Sequence, residues 1–220
     1  SGDTGEATVT SSLTFTSANW NSAQTVTVTG VDDNLIDGTI TSTITVAVND
    51  GSSNDSFDGV ADQTVSVTTT DNDVAGFTVV ESGGSTSVAE TGTTDTFTVV
   101  LNAQPASDVV LSITSSDTGE ATVTSSLTFT SGNWNSAQTV TVTGVNDNII
   151  DGTITSTITV AVNDGSSNDN FDGVADQTVS VTTVDNDVAG FTIAQTSGST
   201  SVSETGTTDT FTVVLNAQPA

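Results

Sequence analysis

The chain has 220 residues and a formal net charge of −27, because 27 Asp and Glu residues are accompanied by no Lys, Arg or His. Without cationic side chains it has no electrostatic means of holding nucleic acid or an anionic membrane surface, and it can form no side-chain ion pair. The absence of Cys, His and Lys excludes disulfides, zinc or haem ligation through Cys or His, a histidine-based nucleophilic triad and Schiff-base chemistry.

The sequence contains an internal repeat. Residues 1–106 align without a gap on residues 115–220, at a constant offset of 114 positions, and 94 of the 106 aligned residues are identical. A near-identical period of this length is too long for one coil of a solenoid and is typical of an array of whole domains.

The domain boundary is predicted at TTTDNDVAGF (68–77), where an alternating run ends in Asp-Asn-Asp before a new apolar run begins. The same arrangement recurs one period later. We therefore predict three segments: the rear part of one repeat at 1–73, a complete repeat at 74–187, and the front part of the next repeat at 188–220.

Within the complete repeat, Val and Ile alternate with Thr in short runs that end at Gly, Asn or Asp, which is the pattern of half-buried strands separated by turns. In chain order the predicted strands are 76–80 with 85–89, 95–102, 108–115, 121–130, 137–145, 153–163 and 174–184. No run has helical spacing or the length needed to cross a membrane. Short strands with this turn rhythm predict an all-β fold, an antiparallel Greek-key sandwich of immunoglobulin type.

The core is expected where alternate strand positions are apolar. The predicted core residues are Phe97, Val99, Leu101, Val110, Ile113, Leu127, Phe129, Val140, Val142, Ile154, Ile158, Val160, Val162, Val179 and Val181. Aromatic residues make up only 5% of the chain, so the predicted core depends mainly on Val and Ile.

The Asp residues concentrate in the predicted loops. Three clusters recur in both copies: VDDNLIDG (31–38) as VNDNIIDG (145–152), Asp-Asn-Asp at 71–73 and 185–187, and NDGSSNDSFDG (49–59) as NDGSSNDNFDG (163–173). Single acids stand in V-x-E-T-G, at Glu90 and Glu204, and in D-T-G-E, at Asp3 and Asp117.

Clustered carboxylates without a counter-charge repel one another, by about 4 kcal/mol for two charges about 4 Å apart at a surface-like dielectric. Ca²⁺ takes six to eight oxygen ligands in flexible geometry, whereas Mg²⁺ demands tighter octahedra. The first two clusters therefore favour calcium binding, although neither the EF-hand pattern nor the Gly-rich nonapeptide is present. For the third cluster a solvated turn is an equal alternative.

The order of motifs along the period resembles Calx-beta-type repeats. V-x-E-T-G precedes FTVVLNAQPASDVVLSITSSDTGEATV (97–123), LTFTSGNWNSAQTVTVTGVNDN (127–148), IDGTITSTITV (150–160) and QTVSVTTVDND (177–187). The stretch NWNSAQTVTVTGV is similar to the tandem repeats of giant bacterial surface adhesins. This resemblance implies tandem Calx-beta-like sandwiches, with Ca²⁺ at the end of each domain that faces the next one.

The resemblance also implies which residues bind the ion. In the complete repeat these are Glu90, Asp117, Asp147, Asp151, Asp185 and Asp187; their counterparts are Asp3, Asp32, Asp33, Asp37, Asp71 and Asp73 in the first segment and Glu204 in the third. Asn146, Asn72 and Asn186 stand where the family can carry acids. Fewer negative ligands predict a lower affinity or fewer ions.

These features predict a structural extender, not an enzyme, in a long calcium-stiffened extracellular array such as a surface adhesin or filament of a bacterial cell. The expected partners are neighbouring repeats of the same chain, and in addition like chains associated laterally or head to tail, with no nucleic acid and no membrane insertion. The alternative is a module in which Trp134 and the 163–173 loop present a glycan-binding or ice-binding face, although the favoured interpretation of Trp134 is a side chain that plugs the open end of a sandwich. Near-identical copies favour the extender.

Overall fold

The computed structural model describes residues 1–219, so Ala220, the last residue of the predicted 188–220 segment, lies outside the described residues. The strands are β1 (Ala7–Val9), β2 (Val28–Gly30), β3 (Ile40–Val46), β4 (Gln63–Thr69), β5 (Phe77–Glu81), β6 (Thr86–Ala89), β7 (Thr94–Leu101), β8 (Val109–Ser115), β9 (Ala121–Val123), β10 (Ser126–Phe129), β11 (Gln138–Gly144), β12 (Ile149–Ile150), β13 (Ile154–Val162), β14 (Gln177–Val184), β15 (Phe191–Gln195), β16 (Phe211–Leu215) and β17 (Gln218–Pro219). Single 3₁₀ turns lie at Asp50–Ser52, Asp55–Phe57, Ser82–Gly84, Asp164–Ser166, Asp169–Phe171 and Thr196–Gly198. No helix among these is long and apolar enough to span a membrane.

The complete repeat is a sandwich of two sheets. One sheet has the strand order β5-β7-β11-β9 and the other β10-β8-β13-β14-β6. The pairs within both sheets are antiparallel except that of β14 with β6, which run parallel. The alternation of Val or Ile with Thr gives each strand one buried and one exposed face. The all-β sandwich predicted from the sequence is confirmed.

Two predicted strands are each divided between the sheets. The run 121–130 separates into β9 and β10 because the chain crosses over at Thr124 and Ser125: the Thr124 N–H donates to the Thr141 carbonyl in one sheet, and the Ser125 carbonyl accepts from the Ile113 N–H in the other. The first predicted strand likewise divides into β5 and β6, joined by a turn in which Gly83 has a φ of 68°.

The core lies between the sheets, and most of the predicted core residues are buried there. The prediction was wrong at Val110, Ile154 and Val162, which are half-buried. Val110 faces outward because its neighbours Val109 and Leu111 occupy the inward positions of β8.

Contacts divide the chain into two units. The first comprises residues 1–75 together with 103–106, and the second comprises 76–102 with the chain from 107 onward. In the first unit β1 pairs with β2 and β3 with β4, as β9 pairs with β11 and β13 with β14 in the complete repeat. In the second unit β15 also pairs with β16.

Candidate metal centre

Five carboxylates gather at one end of the complete sandwich in two groups that share Glu90. One group joins Glu90 with Glu120 and Asp147, and the other joins Glu90 with Asp185 and Asp187. Within each group, one oxygen from each of the three carboxylates lies within 4.8 Å of the other two. Repulsion at such distances amounts to several kcal/mol unless a proton or a cation relieves it.

Glu90 is placed by the end of β6. Its N–H donates to the carbonyl of Val184, the last residue of β14, at 3.1 Å. A side chain at Gly144, where β11 ends, would collide with the backbone of Ala89, so glycine is needed for this close approach. The arrangement buries Glu90, which is 1% exposed.

Glu120 is placed by the turn before β9. The Asp117 carboxylate accepts the Gly119 N–H at 3.0 Å, and the Asp117 carbonyl accepts the Ala121 N–H at 3.1 Å. The Glu120 carbonyl then accepts the Val145 N–H at 2.8 Å, which fastens the turn to the loop after β11. Asp117 is exposed, whereas the Glu120 side chain is buried at 7% exposure.

Burial makes the two glutamates reluctant to ionise. Desolvation, reinforced by Asp151, Glu90, Asp117 and Asp147, raises the pKa of Glu120 to about 6. Desolvation also raises the pKa of Glu90, opposed by the hydrogen bond from the Asn186 N–H. Ionisation of either glutamate at neutral pH therefore lowers the free energy of unfolding of the metal-free protein.

Three carboxylate oxygens in this region are buried and have no hydrogen-bond partner within residues 1–219: Glu120 Oε2, Asp151 Oδ1 and Asp187 Oδ2. Buried acceptors in proteins are normally satisfied, because leaving them unpaired costs about 1–3 kcal/mol each, and more when they are charged. The donor set, entirely carboxylate oxygen, fits a hard divalent cation such as Ca²⁺. Such ions would give acceptors of this kind a partner and would reduce the repulsion within each carboxylate group.

Asp185 differs from the glutamates because the backbone holds it. Its Oδ1 accepts the Asp187 N–H at 2.6 Å and its Oδ2 accepts the Gly152 N–H at 2.9 Å. These bonds, together with one from Asp151, lower the pKa of Asp185. In its charged form Asp185 therefore connects the loop after β12 with the end of β14.

The asparagines that replace acids connect the same loops without adding charge. The Asn186 side-chain amide donates to Asn146 Oδ1 at 2.6 Å, and the Asn146 amide donates to the Asp147 carbonyl at 2.8 Å. In the first copy, Asn72 donates instead to Asp32 Oδ1 at 3.1 Å. The Asp-to-Asn difference between the copies thus keeps the connection and removes one negative charge.

The structure brings together four of the six residues that the resemblance implied for this repeat: Glu90, Asp147, Asp185 and Asp187. Asp151 lies beside them, with its buried Oδ1 and its influence on Glu120. Asp117 belongs to neither group, and it acts by shaping the turn that presents Glu120. Glu120 is not among the ligands predicted from the sequence, although it is the acid that ends the motif D-T-G-E.

In the first copy, four of the six predicted counterparts line a cavity. Its lining residues are Glu6, Val31, Asp33, Asp37, Thr69, Thr70, Asp71, Asn72 and Asp73. Asp71 accepts the Gly38 N–H at 2.9 Å and the Asp73 N–H at 2.8 Å, as Asp185 does one period later. Burial and the charges of Asp37, Asp3 and Asp33 raise the pKa of Glu6, the counterpart of Glu120. Asp3 and Asp32 are exposed.

In the third segment Glu204 is exposed and belongs to neither carboxylate group among the described residues.

The third acidic cluster lies in the loop between β13 and β14 and packs onto the sandwich. Phe171 is fully buried, and the Asn168 side chain accepts the Asn170 N–H and donates to Ser107 Oγ. Burial and the charges of Asp164 and Asp169 raise the pKa of Asp172, but none of the three belongs to the carboxylate groups found among the described residues.

The tryptophans of the two copies differ in exposure. Trp134 is half-buried, and its carbonyl accepts the Leu101 N–H at 3.1 Å. Trp20, at the same position of the partial repeat 1–73, which has no counterpart of β7, is 71% exposed. In the complete repeat the segment that carries the tryptophan is thus fastened to the end of β7.

Comparisons with known proteins give structural likenesses at low TM-scores. No protein-family model and no curated protein matches the chain. Among solved structures, domains 4 and 5 of the S-layer protein SbsC align with a TM-score of 0.40 and 26% identity over 72% of this chain, which spans 62% of the length of that structure. The apo-form Calx CBD1 domain aligns with a TM-score of 0.37 and 14% identity over 50% of this chain and 98% of the domain. CBD12 from CALX1.2 aligns with a TM-score of 0.36 and 14% identity over 50% of this chain and 44% of that chain.

Proposed function

We propose that this chain is a structural extender module of a long extracellular repeat protein, a surface adhesin or filament, in which calcium binds the carboxylates at the end of each repeat. The observation that carries the proposal is the pair of groups around Glu90, with unpartnered buried oxygens on Glu120, Asp151 and Asp187. Repetition of the same acids one period apart supports a role repeated at every domain, since a ligand-binding face is needed only once near a tip.

The proposed mechanism is mechanical. Bound calcium would neutralise carboxylates from four places in the chain: the end of β6, the turn before β9, the loop that follows β11 and the segment that follows β14. Holding these four segments at one point restricts the end of the repeat, and the array becomes stiffer as a result. On this proposal the protein lies outside the cell, where calcium is available at millimolar levels, and its partners are neighbouring repeats of the same chain.

Calcium titration with thermal unfolding tests the proposal. An ion that binds only the folded form stabilises it by RT ln(1 + [Ca²⁺]/Kd), about 2.7 kcal/mol at a hundredfold excess over Kd. We expect a Kd near ~10⁻⁴ M, as in extracellular calcium modules, because Asn146 and Asn186 contribute no charge. Mg²⁺ at the same concentration should stabilise the protein much less.

Two variants locate the effect. Asp147→Ala removes a member of one carboxylate group and should abolish most of the stabilisation by calcium. Asp164→Ala removes an acid of the loop between β13 and β14 and serves as the matched control, with an unchanged calcium response. If the melting temperature of the unmodified chain does not move between chelator and millimolar calcium, the proposal is wrong.

A further inference from the structure

A short parallel pairing follows the loop that contains Asp147. Ile149–Ile150 pairs with Gln218–Pro219, and the Gln218 N–H donates to the Asn148 carbonyl at 2.6 Å. The pairing is isolated from both sheets of the sandwich. It joins two segments that are about 70 residues apart in the sequence, so it is not a local turn.

The same pairing occurs one period earlier in the chain. Leu35 forms a parallel bridge with Gln104. The Gln104 N–H donates to the Asn34 carbonyl at 2.7 Å, and the Ile36 N–H donates to the Gln104 carbonyl at 3.1 Å. Two copies of one sequence thus make the same main-chain contact in separate parts of the molecule.

The local sequence favours the backbone conformation that this pairing requires in both paired segments. On the accepting side, Asp33 Oδ1 accepts the Leu35 N–H at 2.8 Å and Asp147 Oδ1 accepts the Ile149 N–H at 2.7 Å, which fixes the shape of each loop. On the other side, the residue before a proline is biased toward extended backbone, and Gln104 precedes Pro105. Pro105 has no N–H to continue a ladder, so the pairing is kept short.

We infer that consecutive repeats of this chain are joined by main-chain strand addition, in which the Asn-x-Ile segment of one repeat (34–36, 148–150) accepts the Gln-Pro segment of the repeat that follows it (104–105, 218–219). The partner of this surface is the next copy of the same repeat. Because backbone atoms make the contact, it tolerates side-chain variation such as Leu35 against Ile149.

The accepting loop also belongs to the carboxylate cluster. Asp147 shapes the loop through Oδ1 and is a member of the group with Glu90 and Glu120. An ion bound there would restrain the loop that receives the next repeat. This coupling rests on the proposed function, whereas the strand addition itself does not.

The test compares Gln104→Pro with Gln104→Ala in the full chain. Proline removes the N–H that Asn34 accepts, and alanine removes only the side chain. Leu35-Ile36 is the only Leu-Ile sequence in the chain, so ¹³C′-leucine with ¹⁵N-isoleucine labels the Ile36 amide alone for hydrogen-exchange NMR. We expect exchange at Ile36 to be about tenfold faster in Gln104→Pro than in Gln104→Ala, which keeps the backbone N–H.

The same ¹⁵N-isoleucine spectrum contains Ile113 and Ile158, buried in central strands, which should keep their protection and show that the repeat is folded. If Gln104→Pro unfolds, the unmodified chain gives the answer through the scalar coupling across the hydrogen bond from the Ile36 N–H to the Gln104 carbonyl. Equal exchange at Ile36 in both variants, or no such coupling, overturns the inference.

Measurements with calcium and with chelator separate this inference from the proposed function. Protection of Ile36 in both conditions supports strand addition and contradicts its coupling to calcium. Protection that increases with calcium supports both. Absence of protection together with a calcium-dependent melting temperature overturns strand addition and leaves the proposed function standing.

Discussion

The backbone N–H of Asn186 donates to Oε2 of Glu90 at 3.2 Å, although the two residues are 96 positions apart. This bond connects the end of β6 with the segment that leaves β14. The Asn186 N–H is a hydrogen-bond donor to the Glu90 carboxylate, and it favours the charged form of that carboxylate. Burial of Glu90 disfavours the same charge. A positive charge placed beside the buried Glu90 carboxylate would therefore stabilise this end of the repeat.

Removing the charge of Glu120 should have opposite effects with and without metal. In chelator, Glu120→Gln should stabilise the protein by about 1 kcal/mol, because a neutral amide replaces a carboxylate that burial and its neighbours disfavour. In calcium the variant should gain less stability than the unmodified chain. Thermal melts in both conditions give the comparison. Asp164→Asn, at an exposed position outside both carboxylate groups, is the control and should change neither value.

Asp185→Ala should behave in the reverse way in chelator. This carboxylate accepts the Gly152 and Asp187 N–H groups, so alanine leaves backbone donors without their partner. We expect a loss of about 1–3 kcal/mol even in the absence of metal. Urea unfolding in chelator measures it. A stabilising effect of Asp185→Ala in chelator would contradict the role assigned to these hydrogen bonds.

The stability of the metal-free protein should depend on pH through Glu120. Its pKa is raised from 4.5 to about 6 in the folded state, so between these values the folded chain binds more protons than the unfolded chain. The melting temperature should therefore rise as the pH falls from about 6 to about 4.5. Asp185 has the opposite sign, since its pKa is lowered and its contribution is lost only as the pH falls further, below the ordinary Asp value of 3.8.

The measurement is a series of melts in metal-free buffer, and Glu120→Gln should flatten the response between pH 4.5 and 6. Calcium should flatten it as well, because the cation replaces the proton as counter-charge. A melting temperature that falls steadily from pH 6 to 4.5 in the unmodified, metal-free chain would show that Glu120 does not control this range.

Phe171 and Phe57 occupy the same position of the two copies in different environments. Phe171 is fully buried, whereas Phe57, in the partial repeat 1–73 that has no counterpart of β8, is 58% exposed. Phe171→Ala should cost about 3–5 kcal/mol, as expected for a large cavity, and Phe57→Ala less than about 1 kcal/mol. Urea unfolding followed by Trp134 fluorescence in a Trp20→Phe background measures the first effect, and Trp20 fluorescence in a Trp134→Phe background measures the second. Equal effects would mean that the loop between β13 and β14 is not anchored by its phenylalanine.

The fold was predictable from the sequence because the alternation of Val or Ile with Thr indicates where each strand lies. The same alternation indicates which side chains of the strand point into the core. The sequence-based prediction missed the division of 121–130 because Thr124 and Ser125 carry no Gly or Pro signal, and only pairing partners reveal a crossover. For the candidate site, the position of the acids in the loops predicted four of the five carboxylates that the structure groups at one end of the sandwich. Which acid of D-T-G-E points inward depends on the turn that Asp117 makes, and spacing alone does not specify that direction.

The parallel pairing of β6 with β14 has a mechanical consequence. When a repeat is pulled from its two ends, β6 and β14 are drawn past each other along their lengths, so the bonds between Val181–Val184 and Thr86–Ala89 share the load in shear. Antiparallel terminal strands would instead open one bond after another. Glu90 and Asp185 directly follow the last pair, Ala89 with Val184, so an ion held between them would join the two strands at the point where tension passes out of the repeat.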